Sequence, residues 1–213
     1  MIRKFILGLF VAIFGALSAS AHTVWIEIKD GHLVIRFAEP GSDFETSPGY
    51  LDSLSLPDAF ILVTNSPVSI ESSKKNDYFL LTGTAATNVA GLETAFTVRG
   101  GRKPYFYARW QPANGGAGIP LLNLDLVPTG KAGEARAYFR GKPLGGVTAT
   151  LRGPDGNEQE ITADSDGFLH YASKQSGLYL LTIAHYREPI SGFYNGVAYT
   201  ETSHNCALTW QKP

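Results

Sequence analysis

Beyond its first 21 residues the chain shows no sustained i, i+3, i+4, i+7 apolar pattern; short runs alternate apolar and polar residues and are broken by Gly, Pro, Asn and Asp. A period of two sends successive side chains to opposite faces, so such runs read as half-buried strands, and many in series read as sandwiches or barrels. The run "HTVWIEIKDGHLVIRF" shows the rule. His22, Val24, Ile26 and Ile28 fall on one face, Lys29-Asp30-Gly31 turns the chain, and Leu33, Ile35 and Phe37 continue, predicting a hairpin. Further strands are predicted at "DAFILVTN", "SIESSK", "YFLLTG", "ETAFTVRG" and "PYFYARWQ", and helix only in scraps such as Pro48 to Leu54.

Small and turn residues gather in "QPANGGAGIPLL", which marks a domain boundary. After it, "LLNLDLVPT", "GEARAYFR", "GVTATLRG", "QEITAD", "GFLHYAS", "GLYLLTIAHY" and "HNCALTW" give about seven strands, the number expected of an immunoglobulin-like sandwich. The expected fold is therefore all-β, with two consecutive β-sandwich domains, residues 22–113 and 123–213, joined by a linker at 114–122. The second is expected to be immunoglobulin-like or transthyretin-like.

Residues 1–21 have the parts of a cleavable secretory signal: Arg3 and Lys4, an apolar run from Phe5 to Leu17, and the small-residue site Ala19-Ser20-Ala21. The apolar run falls short of the roughly 20 residues a membrane span needs, so a cut after Ala21 and export to the periplasm are expected, with no span after cleavage. The residue behind the cut is His22, not Cys, which leaves no lipid anchor and exposes an α-amine beside an imidazole.

The formal net charge of −1, and the lack of any basic cluster beyond Lys74-Lys75, provide no footprint for nucleic acid. Cys206 is the single cysteine and Met1 the single methionine, so disulfides are excluded and any metal site must use nitrogen and oxygen donors. Such donors suit Ni(II), Co(II), Cu(II) or Zn(II) better than Cu(I).

At "YFRGKPLGGVTATL", "TADSDGFLHY" and "SGLYLLTIAH" the chain resembles transthyretin-like or carboxypeptidase-regulatory-like β modules. With the export signal, "AHTVWIE" and "SHNCALTW", most of the mature chain resembles a family of periplasmic proteins associated with nickel or cobalt uptake, the periplasmic component of cobalt/nickel transport systems. The resemblance implies a divalent metal ion as ligand and an envelope metal-uptake transporter as partner. Residue by residue it carries over to His22, Trp25, His185 and His204.

Strand parity sorts the five histidines. His32 falls on the solvent side and His170 on a mixed face. His185 follows Tyr179, Leu181 and Ile183 at spacing two and closes an inward face; His204 precedes Cys206, Leu208 and Trp210 and opens one. Antiparallel pairing of these two strands would bring both imidazoles to one end of a sandwich, where His22 could join them. The metal ligands are thus expected to be His22, through amine and ring, His185 and His204. The intervening segment 187–202 reads as a long, functional or mobile loop, Arg187 and Glu188 as a surface ion pair, Trp25 as a packing residue, and "ADSDG" as a plain turn.

No G-x-S-x-G, H-E-x-x-H or G-x-x-x-x-G-K-[ST] motif occurs, and Cys206 falls on an inward face where a thiol is inert. A polysaccharide-oxidising copper enzyme with an N-terminal histidine would need a flat aromatic surface that the sequence does not display. The expectation is a non-enzyme that binds nickel or cobalt for uptake or delivery. A copper-binding carrier with the same ligands and a non-metal adhesion or scaffold module are the alternatives.

Overall fold

A computed structural model describes residues 22–113 and 115–213; residues 1–21, where a cleavable signal is expected, lie outside the described residues. The first half forms β1 (Thr23–Lys29), β2 (His32–Ala38), β3 (Asp58–Val63), β4 (Ser66–Ile70), β5 (Ser72–Lys74), β6 (Phe79–Leu81), β7 (Ala90–Ala95) and β8 (Arg102–Trp110). A short 3₁₀ turn, Tyr50–Ser53, occupies the place where a scrap of helix is expected. The second half forms β9 (Leu124–Pro128), β10 (Glu134–Phe139), β11 (Lys142–Pro143), β12 (Thr148–Arg152), β13 (Glu158–Thr162) and β14 (Phe168–His170). It ends with β15 (Gly177–Glu188), β16 (Gly192–Tyr194), β17 (Val197–Tyr199) and β18 (Glu201–Lys212). The fold is all-β, and no helix among the described residues is long and apolar enough to cross a membrane.

β1 and β2 pair from Thr23↔Ala38 to Lys29↔His32 around the Asp30-Gly31 turn. Both turn residues have positive φ, 51° and 79°, matching the right-handed twist of the flanking strands. This hairpin belongs to a four-stranded sheet, β1-β2-β6-β5, whose inner face meets β3, β7 and β8. Val24, Ile26, Leu33, Ile35, Phe37 and Phe79 fill the space between. Trp25 points the other way and is buried with Ala38, Leu180 and Ala207, a packing role.

A second core lies between β9, β10 and β14 on one side and β12, β15 and β18 on the other; Leu124, Leu126, Leu169, Leu181, Cys206 and Leu208 are among its members. The buried members of the first core all precede the 114–122 boundary and those of the second, apart from Tyr107, all follow it or close it, but the two cores are not built from independent sheets. One eight-stranded sheet, β13-β12-β15-β18-β8-β7-β3-β4, serves both. Its join is the parallel pairing of β18 with β8, Glu201↔Arg102 through Thr209↔Trp110. β8 is therefore covered on both faces: Phe106, Ala108 and Trp110 enter the first core, and Tyr107 enters the second. Strands covered on both faces must bury whatever polar residues they carry, and Thr202, Ser203, His204, Asn205 and Thr209 of β18 are all buried. Thr209 satisfies its hydroxyl by donating to the Ile26 carbonyl at 2.6 Å, which ties β1 across to β18.

The linker is held by Asp125. Its carboxylate receives Arg109 Nε at 3.0 Å and Nη2 at 2.6 Å, and the backbone amides of Leu121 at 2.9 Å and Leu122 at 3.3 Å. Arg109 Nη2 also donates to the Ile119 carbonyl at 2.9 Å. The "ADSDG" segment is a turn: Asp164 Oδ1 accepts from the amides of Asp166 at 2.9 Å and Phe168 at 2.8 Å.

Candidate functional site

His22 stands just ahead of β1 with its ring against Phe37 and Tyr50, at centroid distances of 5.1 and 5.2 Å. The two strands leave this end of the sheet, and the chain after β2 folds back so that Glu39 and Glu45 both reach the imidazole. Nε2 donates to Glu45 Oε1 at 2.6 Å, while Nδ1 lies 3.7 Å from Glu39 Oε1. A carboxylate fixed on one ring nitrogen sets the orientation of the ring and leaves the other nitrogen's lone pair available. Neither glutamate stands out in the sequence, because both lie in an irregular segment whose return path local periodicity does not describe.

β15 and β18 pair in antiparallel fashion, Leu181↔Leu208 and Ile183↔Cys206, but the register then shifts to Tyr186↔His204. Ala184 and His185 together oppose Asn205, a β-bulge. His185 takes a left-handed φ of 58°, and its amide donates to Asn205 Oδ1 at 2.9 Å. The extra residue reverses the parity of everything that follows, which corrects the expected inward placement of His185. Tyr186 takes the second-core position instead, against Phe139 at 4.7 Å, and His185 is exposed on the other face. There it lines the same cavity as His22, about 250 Å³ in volume. The partial covering of its ring by the cavity wall first, and the guanidinium groups of Arg102 and Arg187 after it, hold the His185 imidazole below its usual pKa and favour its neutral form.

His204 is not with them, and this corrects the expected three-histidine cluster. It faces the second core, stacked on Tyr105 at 5.5 Å and Tyr107 at 5.9 Å, with the edge of Phe139 beside it. Tyr107 Oη donates to Nδ1 at 2.9 Å, and Nε2 donates to Glu188 Oε2 at 3.1 Å. With both ring nitrogens engaged and the ring only 5% exposed, His204 has no lone pair to offer a metal. Glu188 in turn pairs with Arg140 at 2.7 Å, and Arg187 pairs with Glu201 at 3.7 Å, so the expected Arg187–Glu188 pair does not form. Among the described residues, no group of three or more His, Cys, Asp and Glu side chains is arranged to hold a metal ion.

Burial holds the His204 pKa below its usual 6.5 against the opposing pull of Glu188, with Arg140 adding to the lowering. Between the folded value and about 6.5 the unfolded chain carries the extra proton, so this residue's contribution is complete above that window and is lost as the pH falls through it. Urea unfolding midpoints should therefore drop below about pH 6.5, with a slope from this group of at most about 1.4 kcal/mol per pH unit. His204→Gln should flatten that part of the profile. An unchanged slope would assign the acid sensitivity elsewhere.

The segment 187–202 contains a hairpin, β16 with β17, around an Asn195-Gly196 turn, where the sequence suggests a loop. Tyr194 lies over Lys103, whose Nζ is 3.0 Å from the ring centroid, and its hydroxyl meets Ser55 Oγ at 2.7 Å. Lys103 donates to the Phe96 carbonyl at 2.7 Å, and burial lowers its pKa to about 8. Cys206 is buried, and that burial pushes its thiol well above the usual range, as suits an inert packing residue.

The fold thus defines a class: an all-β protein with two cores sharing a long sheet, and a half-buried histidine with two carboxylates at one end. No protein-family model matches the chain. Comparison with curated proteins produces no match. Among solved structures the chain is similar to "Crystal structure of chicken CNTN1 FN1-FN3 domains", with 7% identity and a TM-score of 0.21, over 90% of this chain and 66% of that one.

Proposed function

We propose that the mature protein binds a divalent transition metal ion at a processed His22, as a non-enzymatic carrier exported to the periplasm for uptake or delivery of the ion. The observation that carries this reading is the state of the His22 ring. Glu45 occupies Nε2, and Nδ1 faces Glu39. Nδ1 is the ring nitrogen that closes a six-membered chelate with the α-amine of the same residue. Signal removal after Ala21 would supply that amine. Its ordinary pKa near 8 makes deprotonation at neutral pH cost only about 1.4 kcal/mol.

Two nitrogens from His22 and an oxygen from Glu39 form a mixed N/O donor set of the kind nickel, cobalt, copper and zinc accept. His185 lines the same cavity, but it is not arranged with His22 and Glu39 as a third ligating side chain, so the donor set proposed is the His22 chelate with Glu39. His204 is left out of the ligand set. Nickel or cobalt, and an envelope transporter as recipient, follow from the family resemblance; a copper carrier would use the same atoms. In this reading the second core is the immunoglobulin-like or transthyretin-like module of that family, and serves as scaffold.

The test is a metal titration of the exported, cleaved protein against a form carrying one extra residue before His22. Moving the amine one residue away destroys the chelate and leaves every side chain in place. Nickel affinity should fall by roughly a hundredfold or more, the scale expected when a ligating group and its orientation are both lost. Equal affinities in the two forms would remove the chelate.

A further inference from the structure

We propose that the cavity bounded by Arg99, Arg102 and the aromatic cluster around Phe37, which His22 and His185 also line, is a binding site for a small aromatic monocarboxylate in the metal-free protein. Arg99 and Arg102 flank a two-glycine hairpin turn. The Arg99 amide donates to the Arg102 carbonyl at 2.9 Å, the Arg102 amide donates to the Arg99 carbonyl at 3.0 Å, and Gly100 and Gly101 have φ of 54° and 73°. Residues directly opposed in such a pair send their side chains to the same side, and like charges there disfavour the fold. Both arginines line the cavity.

Among the described residues no carboxylate neutralises them. Glu201 lies beside Arg102 in the β18–β8 register but pairs with Arg187 at 3.7 Å. Glu39 and Glu45 are turned to His22. Arg102 Nε is buried with no hydrogen-bond partner, and a buried donor left unpaired is costly unless something absent from the protein chain completes it. The Arg99 guanidinium is held at the rim by the faces of Tyr50, at 4.9 Å, and Phe96, at 5.5 Å. A carboxylate offers two oxygens to such planar forks and relieves the repulsion between them.

The rest of the cavity selects the body of the ligand. Phe37, Tyr50, Phe96 and Phe106 form a contiguous aromatic wall, with Phe37 5.6 Å from Phe96 and 5.9 Å from Phe106. A volume of about 250 Å³ lies just under the usual range of about 300–1,000 Å³ for ligand pockets, which suits a single ring. A ring edge against these faces and a carboxylate against the arginines use both halves of the site.

The test is calorimetric titration of the metal-free mature protein with benzoate, benzamide and inorganic phosphate, with NMR of the arginine Nε–H groups. Benzoate should bind saturably and shift the Arg102 Nε–H signal, which Arg102→Gln removes and so assigns. Benzamide, of the same shape without the charge, should bind at least tenfold more weakly, as should phosphate, which lacks the ring. Arg102→Gln and Arg99→Gln should each weaken benzoate at least tenfold at a melting temperature no lower than that of the unmodified protein, since each relieves the like-charge opposition. Absence of saturable benzoate binding, equal binding of benzamide or phosphate, or an unaffected Arg99→Gln variant would each overturn the proposal. The ligand comparison uses the unmodified protein and so decides the matter even if Arg102→Gln fails to fold. Benzoate is titrated without metal and nickel is titrated without benzoate, so failure of one titration leaves the other result standing and the two readings are separable.

Discussion

Asp125→Ala is expected to lower the unfolding free energy by about 3–5 kcal/mol, the usual cost of removing one partner of a buried ion pair. Arg109 is 1% exposed and Asp125 fully buried, so the guanidinium left behind can reach neither water nor another carboxylate. The amides of Leu121 and Leu122 lose their acceptor in the same step. Against the 5–15 kcal/mol typical of a whole domain, this is a large share. The loss should appear as a lower urea midpoint with little change in slope, because the surface exposed on unfolding is the same. The double variant Arg109→Met/Asp125→Leu should recover most of the loss, since the uncompensated charge is gone. It should not recover all of it, because the two amides remain unpaired. A single-variant cost below about 1 kcal/mol would mean that the pair does not hold the linker, and that residues 115–122 have another anchor.

His22→Ala should weaken nickel binding by roughly a hundredfold or more, since two donor nitrogens depend on one side chain being next to the amine. His204→Ala should leave nickel affinity within about twofold while lowering stability by about 2–4 kcal/mol. That figure combines the loss of a stacked ring with two hydrogen bonds, one of them to a carboxylate. The contrast is the informative part, because a ligand set read from strand parity treats the two histidines alike. Measured on the cleaved protein by competition with a colorimetric chelator, the pair of variants separates an end-of-sheet site at His22 from a site inside the second core. A His204→Ala protein that folds but no longer binds nickel would overturn the placement proposed here, and a His22→Ala protein with full affinity would remove it.

The residues show where legibility stops. The pairing of β15 with β18 is expected only from the tendency of successive strands to pair. The inward faces of β1, β2 and β15 and the burial of Cys206, by contrast, follow from alternation, because a period of two is a local property and each strand carries its own record of which face is apolar. The same rule misplaces His185. Nothing in "LTIAHYRE" marks Ala184 and His185 as the doubled residues of a bulge, since the cause lies in Asn205 of the neighbouring strand, whose side chain captures the His185 amide. His204 is correctly assigned an inward face, but its ring nitrogens are taken by Tyr107 and Glu188, partners supplied by two different strands.

What the linear order of residues settled is the all-β character of the chain, the positions of most strands, the absence of disulfide and thioether chemistry, and the singular position of His22 behind a small-residue site. Folding in three dimensions settled which groups meet. The parallel seam between β18 and β8 puts residues of both halves into one sheet, the irregular chain after β2 carries Glu39 and Glu45 back to His22, and a tight glycine turn sets Arg99 against Arg102. Alternation records which side of a strand is wet, but it holds no information on which strand lies alongside, and a binding site is made of neighbours.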